Sequence, residues 1–367
     1  MNIANPLPKD ASPEQRLTLR HLRERTYLPD SQCPYHGVSH PDIVWSKAEL
    51  LMERCAAHGI PVNGDALRNA IELHDALSHI PPHMLGYHNA ESVAAALAFH
   101  FLTGAGYSAE SAGQIRDIIM ATNPEVRPLS PEEIIIRAAD LWNIGATFHE
   151  FKEASLALHQ EAELARHQEI PLATWMRGAF GYLTRFMWPM LELTPESRDP
   201  SGRSVFHTNA LRNMATLWRE TCGEQTPVTA EFFPNGEVQP NLTHTQEFYI
   251  AIHPDEARRK QSLTALSKDA FGCNGAAFIV PGSIGAFPIP DEMCSRVTCH
   301  DPSIESLREA LRITRRGGAV VLDLPNHMDQ RVLAIAQAFP CTVSNISRNG
   351  APQRTLTITK KALLEDR

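Results

Sequence analysis

The chain is expected to hold two domains: an all-α domain over residues 1–222 and a smaller α/β domain over 246–367, joined by a linker at 223–245. Three observations lead there. Apolar residues recur at helical spacing as far as about residue 220, and nothing before that point alternates as a strand does. From residue 246 onward, short apolar runs alternate with helical stretches. Between the two styles, Thr221 to Thr245 (TCGEQTPVTAEFFPNGEVQPNLTHT) is rich in Pro, Gly, Thr and Asn, the composition of a linker or a small hairpin. A length of 367 residues suits two domains.

Three helices of the first domain are well signalled. One starts at Ser39, with Asp42 three residues on to complete the cap, and runs through Ile43, Val44, Leu50 and Leu51. The next covers Asp65 to Leu77, with Leu67, Ala70, Ile71 and His74 on one stripe. The third has Ser130 at the N-cap, Pro131 at the first helical position and Glu133 at the third, and continues through Asp140 to about Gly145. Further helices are expected at 91–102, 108–121, 147–166, 171–191 and 204–220. In the second domain, strands are expected at Phe248–Ile252, Ala277–Val280, Arg296–Cys299, Ala319–Leu324, Thr342–Ile346 and Thr355–Thr359. Helices at 254–270, 303–314 and 327–338 alternate with them, which suits a mostly parallel sheet.

A net charge of −8 gives no general attraction to nucleic acid or anionic membrane. The polar start, MNIANPLPKDASPEQR, has no apolar segment of a signal peptide, and no run is long enough to span a bilayer. Seven cysteines without CxxC spacing point to reduced thiols, hence a cytoplasmic location, and away from a disulfide frame or zinc finger.

Chemistry centres on His40, His74, Asp75 and Asp140, each carried by one of the three helices. Two imidazoles and two carboxylates suit a divalent ion such as Mn, Fe, Co, Ni or Mg, and also Zn. Asp140 lies among isoleucines and alanines, where a carboxylate is costly unless something positive pairs it. A His-Asp dipeptide alone carries little weight, because 17 histidines give about one by chance, and His300-Asp301 is read as that chance case.

In order, however, four segments resemble the HD superfamily of metal-dependent phosphohydrolases: Tyr35-His36-Gly37-Val38-Ser39-His40, Glu72-Leu73-His74-Asp75, Asn89-Ala90-Glu91-Ser92-Val93-Ala94, and Arg137 through Gly145 (RAADLWNIG). The resemblance implies that His40, His74, Asp75 and Asp140 ligate a metal that activates a water against phosphorus. Asp75 and Glu91 then serve catalysis, and the substrate is a nucleotide or small phosphorylated metabolite. The alternatives are an HD-type di-iron oxygenase, for which His79, His83, His88 and His100 are the extra candidates, a non-catalytic nucleotide sensor, and a methyltransferase with an HD appendage. In the nucleotidase branch a glutamate stands three residues after the HD aspartate; here that position is Ser78.

Residues 303–361 resemble the last third of a class I methyltransferase-like Rossmann fold, Arg315-Arg316-Gly317-Gly318 matching the turn before its fifth strand. With Phe248–Ile252 taken as strand one, His253-Pro254-Asp255-Glu256 follows it. No glycine-rich turn and no acidic end to a second strand are then found, and no residue is assigned to a nucleotide cofactor. Pro281 to Gly285 could form a phosphate-accepting turn. The domain is therefore expected to serve packing, regulation or homo-oligomerisation.

Overall fold

The computed structural model describes residues 13–186, 192–232, 247–253, 255, 276–281, 286–300, 302–324, 334, 341–348 and 351–360. It is multi-domain, with helices and a mixed sheet. Two compact units emerge, one comprising residues 1–143, 149–169 and 190–195, the other 144–148, 170–189 and 196–367.

The first unit is helical in its described residues: α1 (Pro13–Thr26), α2 (His40–Ala57), α3 (Gly64–Leu73), α4 (Ala90–Gly104), α5 (Ala109–Met120), α6 (Pro131–Asp140) and most of α8 (Phe148–Arg166), with the short α7 (Trp142–Gly145) at its margin. Side-chain caps fix several helix starts. Asn63, Asn89, Ser108 and Ser130 accept from the backbone N–H three residues on, at 3.2, 2.8, 3.0 and 3.2 Å. Glu133 returns a bond by accepting from the Leu129 N–H at 2.6 Å. The core joins Val44 of α2, Leu67 and Ile71 of α3, Leu102 of α4, Ile115 and Ile119 of α5, and Ile135 and Ile136 of α6, all buried.

Two local expectations change here. Ser39 makes no side-chain cap bond, its backbone being helical (φ −85°, ψ −18°) where a capping residue is extended, and the Asp42 carboxylate is taken by Arg23, whose Nη1 and Nη2 donate to it at 3.0 and 2.5 Å. The helix expected to reach Leu77 stops at Leu73, and Leu77 itself adopts φ +64°. Arg23 also donates to Glu72 at 3.1 Å and to the Val38 carbonyl at 2.7 Å, tying α1 to α3 and to the loop before α2.

Hydrogen bonds from Arg23 hold the Asp42 carboxyl below its ordinary value. A depressed carboxyl stabilises the fold above its unfolded pKa, and that stabilisation disappears as pH falls through the folded value. Asp42→Asn should therefore lower the melting temperature of the wild-type chain at pH 7, with the difference shrinking toward pH 3. A pH-independent difference would refute the assignment.

The second unit contains α9 (Leu172–Leu183), α10 (Val205–Cys222), α11 (Ile304–Ile313) and a seven-stranded sheet of order β3-β2-β1-β4-β5-β7-β6. The strands are β1 (Val228–Phe232), β2 (Phe248–His253), β3 (Ala276–Pro281), β4 (Cys294–His300), β5 (Thr314–Leu324), β6 (Cys341–Arg348) and β7 (Ala351–Thr359). Strands β1 to β5 run parallel, while β7 is antiparallel to both β5 and β6. Phe180 of α9 meets Trp218 of α10 and Phe248 of β2 at ring distances of 6.4 and 6.1 Å, so these helices pack with the sheet. The division at residue 222 is thereby corrected: α9 and α10 belong to the sheet-bearing unit.

The linker expected at 223–245 is corrected too. Val228–Phe232 inside it is a central strand, paired with β2 through Ala230↔Ile250 and with β4 through Ala230↔Val297. Its alternating burial, with Val228, Ala230 and Phe232 inward, was masked by the Pro, Gly and Thr around it. Every later strand consequently moves up one place in the order. The helices expected at 254–270 and 327–338, and the turn at 282–285, lie outside the described residues.

Candidate metal centre

His40 is the first residue of α2, Asp140 the last of α6, and His74 and Asp75 follow α3 directly. Each thus stands at a helix end, where the backbone direction is fixed by the well-packed turns behind it. One ligand atom from each of the four lies within 4.8 Å of the other three. His40 Nε2 stands 3.3 Å from Asp75 Oδ2 and 3.2 Å from Asp140 Oδ1; His74 Nε2 stands 3.0 Å from Asp75 Oδ2 and 3.6 Å from Asp140 Oδ1. Both histidines are buried and both carboxylates are about four-fifths covered.

The surroundings orient these atoms inward. His74 Nδ1 bonds the Ile71 carbonyl at 2.8 Å, so its Nε2 is the nitrogen turned to the carboxylates. The Tyr27 hydroxyl accepts from the Asp75 N–H at 3.0 Å and fixes the turn after α3. Burial pushes Asp75 up and His74 down, but their mutual charge more than offsets both effects: Asp75 is held well below the carboxylate range and His74 well above that of imidazole. Asp140 is lowered as well, burial being outweighed by the hydrogen bond from His40 and by the nearby His74 imidazole. Asp140 also faces the negative end of its own helix, a placement that disfavours a carboxylate by about 0.3–1 kcal/mol unless a cation answers it. Even so, His74 Nε2 and Asp75 Oδ2 are buried and make no hydrogen bond. Two buried ligand atoms turned toward one point are what an ion needs; N and O ligands stand roughly 2.0–2.2 Å from a bound metal, and small side-chain adjustments bring the four into that range. The donor set fits a metal ion.

Glu91 does not belong to the four-residue group. Lying in the first turn of α4, it accepts from Asn123 Nδ2 at 3.4 Å, and burial, then the charges of Asp75 and Asp140, push its carboxyl up. His79, His83, His88 and His100 do not join the group either.

Sequence reasoning passed over Glu161 of α8. Its carboxylate accepts from the N–H groups of Tyr35 and His36 at 3.2 and 3.0 Å and meets His36 Nδ1 at 2.7 Å. Burial alone would lower His36, yet Asp75 and Glu161 push it up to about 9, while Glu161 is lowered to about 2. Nothing in its helix singles this glutamate out, since Glu150, Glu153 and Glu163 read equally as solvated residues.

Gly37 is required between these histidines. A Cβ there would approach the Cys33 carbonyl oxygen to 2.5 Å and the Asp30 Cα to 2.9 Å, both backbone atoms that cannot swing aside. Gly37→Ala should cost about 1–3 kcal/mol in denaturant unfolding, the usual range for overpacking. Wild-type stability in that variant would refute the close approach.

No family model matches the chain, and no curated protein matches it. Solved structures do resemble it. A predicted O-methyltransferase from Agrobacterium tumefaciens is 15% identical, covers 41% of this chain and 81% of its own, and has a TM-score of 0.32. A methyltransferase from Pyrococcus furiosus, 15% identical, covers 40% and 81% with a TM-score of 0.30. An S-adenosylmethionine-dependent methyltransferase from Aquifex aeolicus, 10% identical, covers 45% and 95% with a TM-score of 0.29. The expectation of a phosphoric ester hydrolase is corrected by these neighbours, which are methyltransferases. With it go the divalent metal as reaction cofactor and the phosphorylated metabolite as partner. No helix of the described residues is long and apolar enough to cross a membrane. The sheet-bearing unit itself is a mixed α/β arrangement in which β1 to β5 are parallel and β7 is reversed.

Proposed function

We propose that the chain is a methyltransferase whose sheet-bearing unit binds S-adenosylmethionine and a methyl-acceptor substrate. The observation that carries the reading is the place of β1. With Val228–Phe232 as strand one, Phe248–His253 becomes strand two, and Asp255 follows its carboxyl end. In open α/β sheets, ligands bind outside the carboxyl ends of the strands where strand order reverses, and an acid there takes a ribose. Here the reversal falls between β1 and β4. The Asp255 N–H donates to His253 Nδ1 at 3.0 Å, which ties Asp255 to the last residue of β2. The bound donor would supply an electrophilic methyl group. The protein's own part is to accept the ribose hydroxyls at Asp255 and to turn polar groups of β1, β2, β4 and β5 toward the crevice. Glu231, next to last in β1, accepts from the Tyr249 hydroxyl at 2.7 Å, and His300 and Asp323, at the carboxyl ends of β4 and β5, lie 2.6 Å apart. The segment after β1, Phe233-Pro234-Asn235-Gly236, carries a single glycine and lies outside the described residues. Calorimetry of the full chain with S-adenosylhomocysteine tests the reading: saturable binding is expected, and its absence would sink it.

For the helical unit, an HD-type fold in which His40, His74, Asp75 and Asp140 hold a metal ion is the accompanying reading. The two buried, unbonded ligand atoms support it. The ion is read as held by the helical unit, outside the methyl-transfer chemistry. The free thiols of Cys33, Cys55, Cys222, Cys294 and Cys299 favour a cytoplasmic location.

A further inference from the structure

We propose that His36, clamped by Glu161, is the residue that hydrogen-bonds an anion bound to the ion of the helical unit. The inference rests on reading His40, His74, Asp75 and Asp140 as that ion's ligands. Those four leave positions open on an ion that prefers six ligands, and an exogenous anion can fill one of them.

His36 is built for such a contact. Its ring centroid lies 5.4 Å from that of the ligand His40, in an edge-on arrangement. Tyr35 lies beside both rings, 4.8 Å from His36 and 5.0 Å from His40. The clamp has three points, because Glu161 takes both backbone N–H groups at 35 and 36 as well as the imidazole Nδ1. With Nδ1 committed to a carboxylate at 2.7 Å, Nε2 is the nitrogen left for a ligand, on the ring edge away from Glu161. Side-chain exposure separates the roles: 3% for His40 and 0% for His74, but 28% for His36. A rigid imidazole that is open to solvent beside a buried ligand set is placed to meet something arriving from outside. Holding a side chain this firmly from a residue 125 positions away is a device for orienting it, since surface histidines are otherwise free to rotate.

The test uses the full-length chain loaded with cobalt(II), with azide as the anion and visible absorption as the readout. Azide should change the wild-type spectrum saturably. In His36→Phe, which keeps the ring and removes its nitrogens, the azide midpoint should rise about tenfold or more while the cobalt affinity moves less than about threefold; partners around a metal ligand set are typically worth about 10–100-fold. Glu161→Gln should raise the midpoint several-fold, and Glu161→Asp should recover part of it, as expected of a positioning residue. An unchanged midpoint in His36→Phe overturns the proposal. So does a wild-type spectrum that azide does not alter, or loss of cobalt from His36→Phe, which would make His36 a ligand or a structural prop. Failure of the wild type to take up cobalt is a different result, and overturns the ion site itself.

Discussion

Replacing Asp75 with asparagine is expected to abolish metal binding by the full-length chain. Asparagine keeps the shape and removes the charge. Asp75 Oδ2 is the atom that faces both imidazoles, 3.3 Å from His40 Nε2 and 3.0 Å from His74 Nε2. Cobalt(II) affinity should fall roughly 100-fold or more, since loss of a partner merely supporting a ligand already costs about 10–100-fold. Stability gives a second readout. An ion present at a hundred times its Kd stabilises the wild-type fold by about 2.7 kcal/mol, and Asp75→Asn should show none of that gain at the same concentration. His74→Ala should behave likewise. Wild-type cobalt affinity in Asp75→Asn would remove the four residues from consideration as an ion site.

The four-residue cluster could be read in the sequence because its members sit at helix ends whose signals are local. Ser130 and Pro131 announce the helix that delivers Asp140, and the helical spacing of Leu67, Ala70 and Ile71 leads to His74 and Asp75. What escaped notice is long-range. Glu161 serves His36 from 125 positions along the chain, and a glutamate among other helical glutamates carries no mark of it. Arg23 draws Asp42 away from the cap of α2 by contacts 19 residues apart. In the second unit, β1 was hidden because five residues of alternating burial are too short to stand out between Pro227 and Pro234. Reading the first strand as linker displaced the strand order by one place, so the residue after the second strand was sought in the wrong segment. His253-Pro254-Asp255-Glu256 looked like a first turn without glycine; with β1 in place the same residues follow the second strand, which is where the proposed reading seeks an acid. Parallel strands take partners remote in sequence, so local pattern cannot number them.

That renumbering makes Asp255→Ala the decisive change for the methyltransferase reading. A carboxylate that accepts from two ribose hydroxyls makes charge-assisted hydrogen bonds, each worth about 1.5–3 kcal/mol. Loss of even one of them should weaken S-adenosylhomocysteine binding by roughly 10–150-fold, a tenfold change being about 1.4 kcal/mol. Asp255→Glu, which keeps the charge on a longer arm, should recover part of the loss, whereas a packing defect would not distinguish the two variants. Because Asp255 is exposed, neither change should disturb the core formed by Trp218, Phe180 and Phe248. The comparison with Asp75→Asn separates the two units: Asp255→Ala should leave cobalt binding intact, and Asp75→Asn should leave S-adenosylhomocysteine binding intact. Were Asp255→Ala to bind S-adenosylhomocysteine as the wild type does, the ribose would have to lie elsewhere, and the assignment of β2 as the ribose-bearing strand would fall with it.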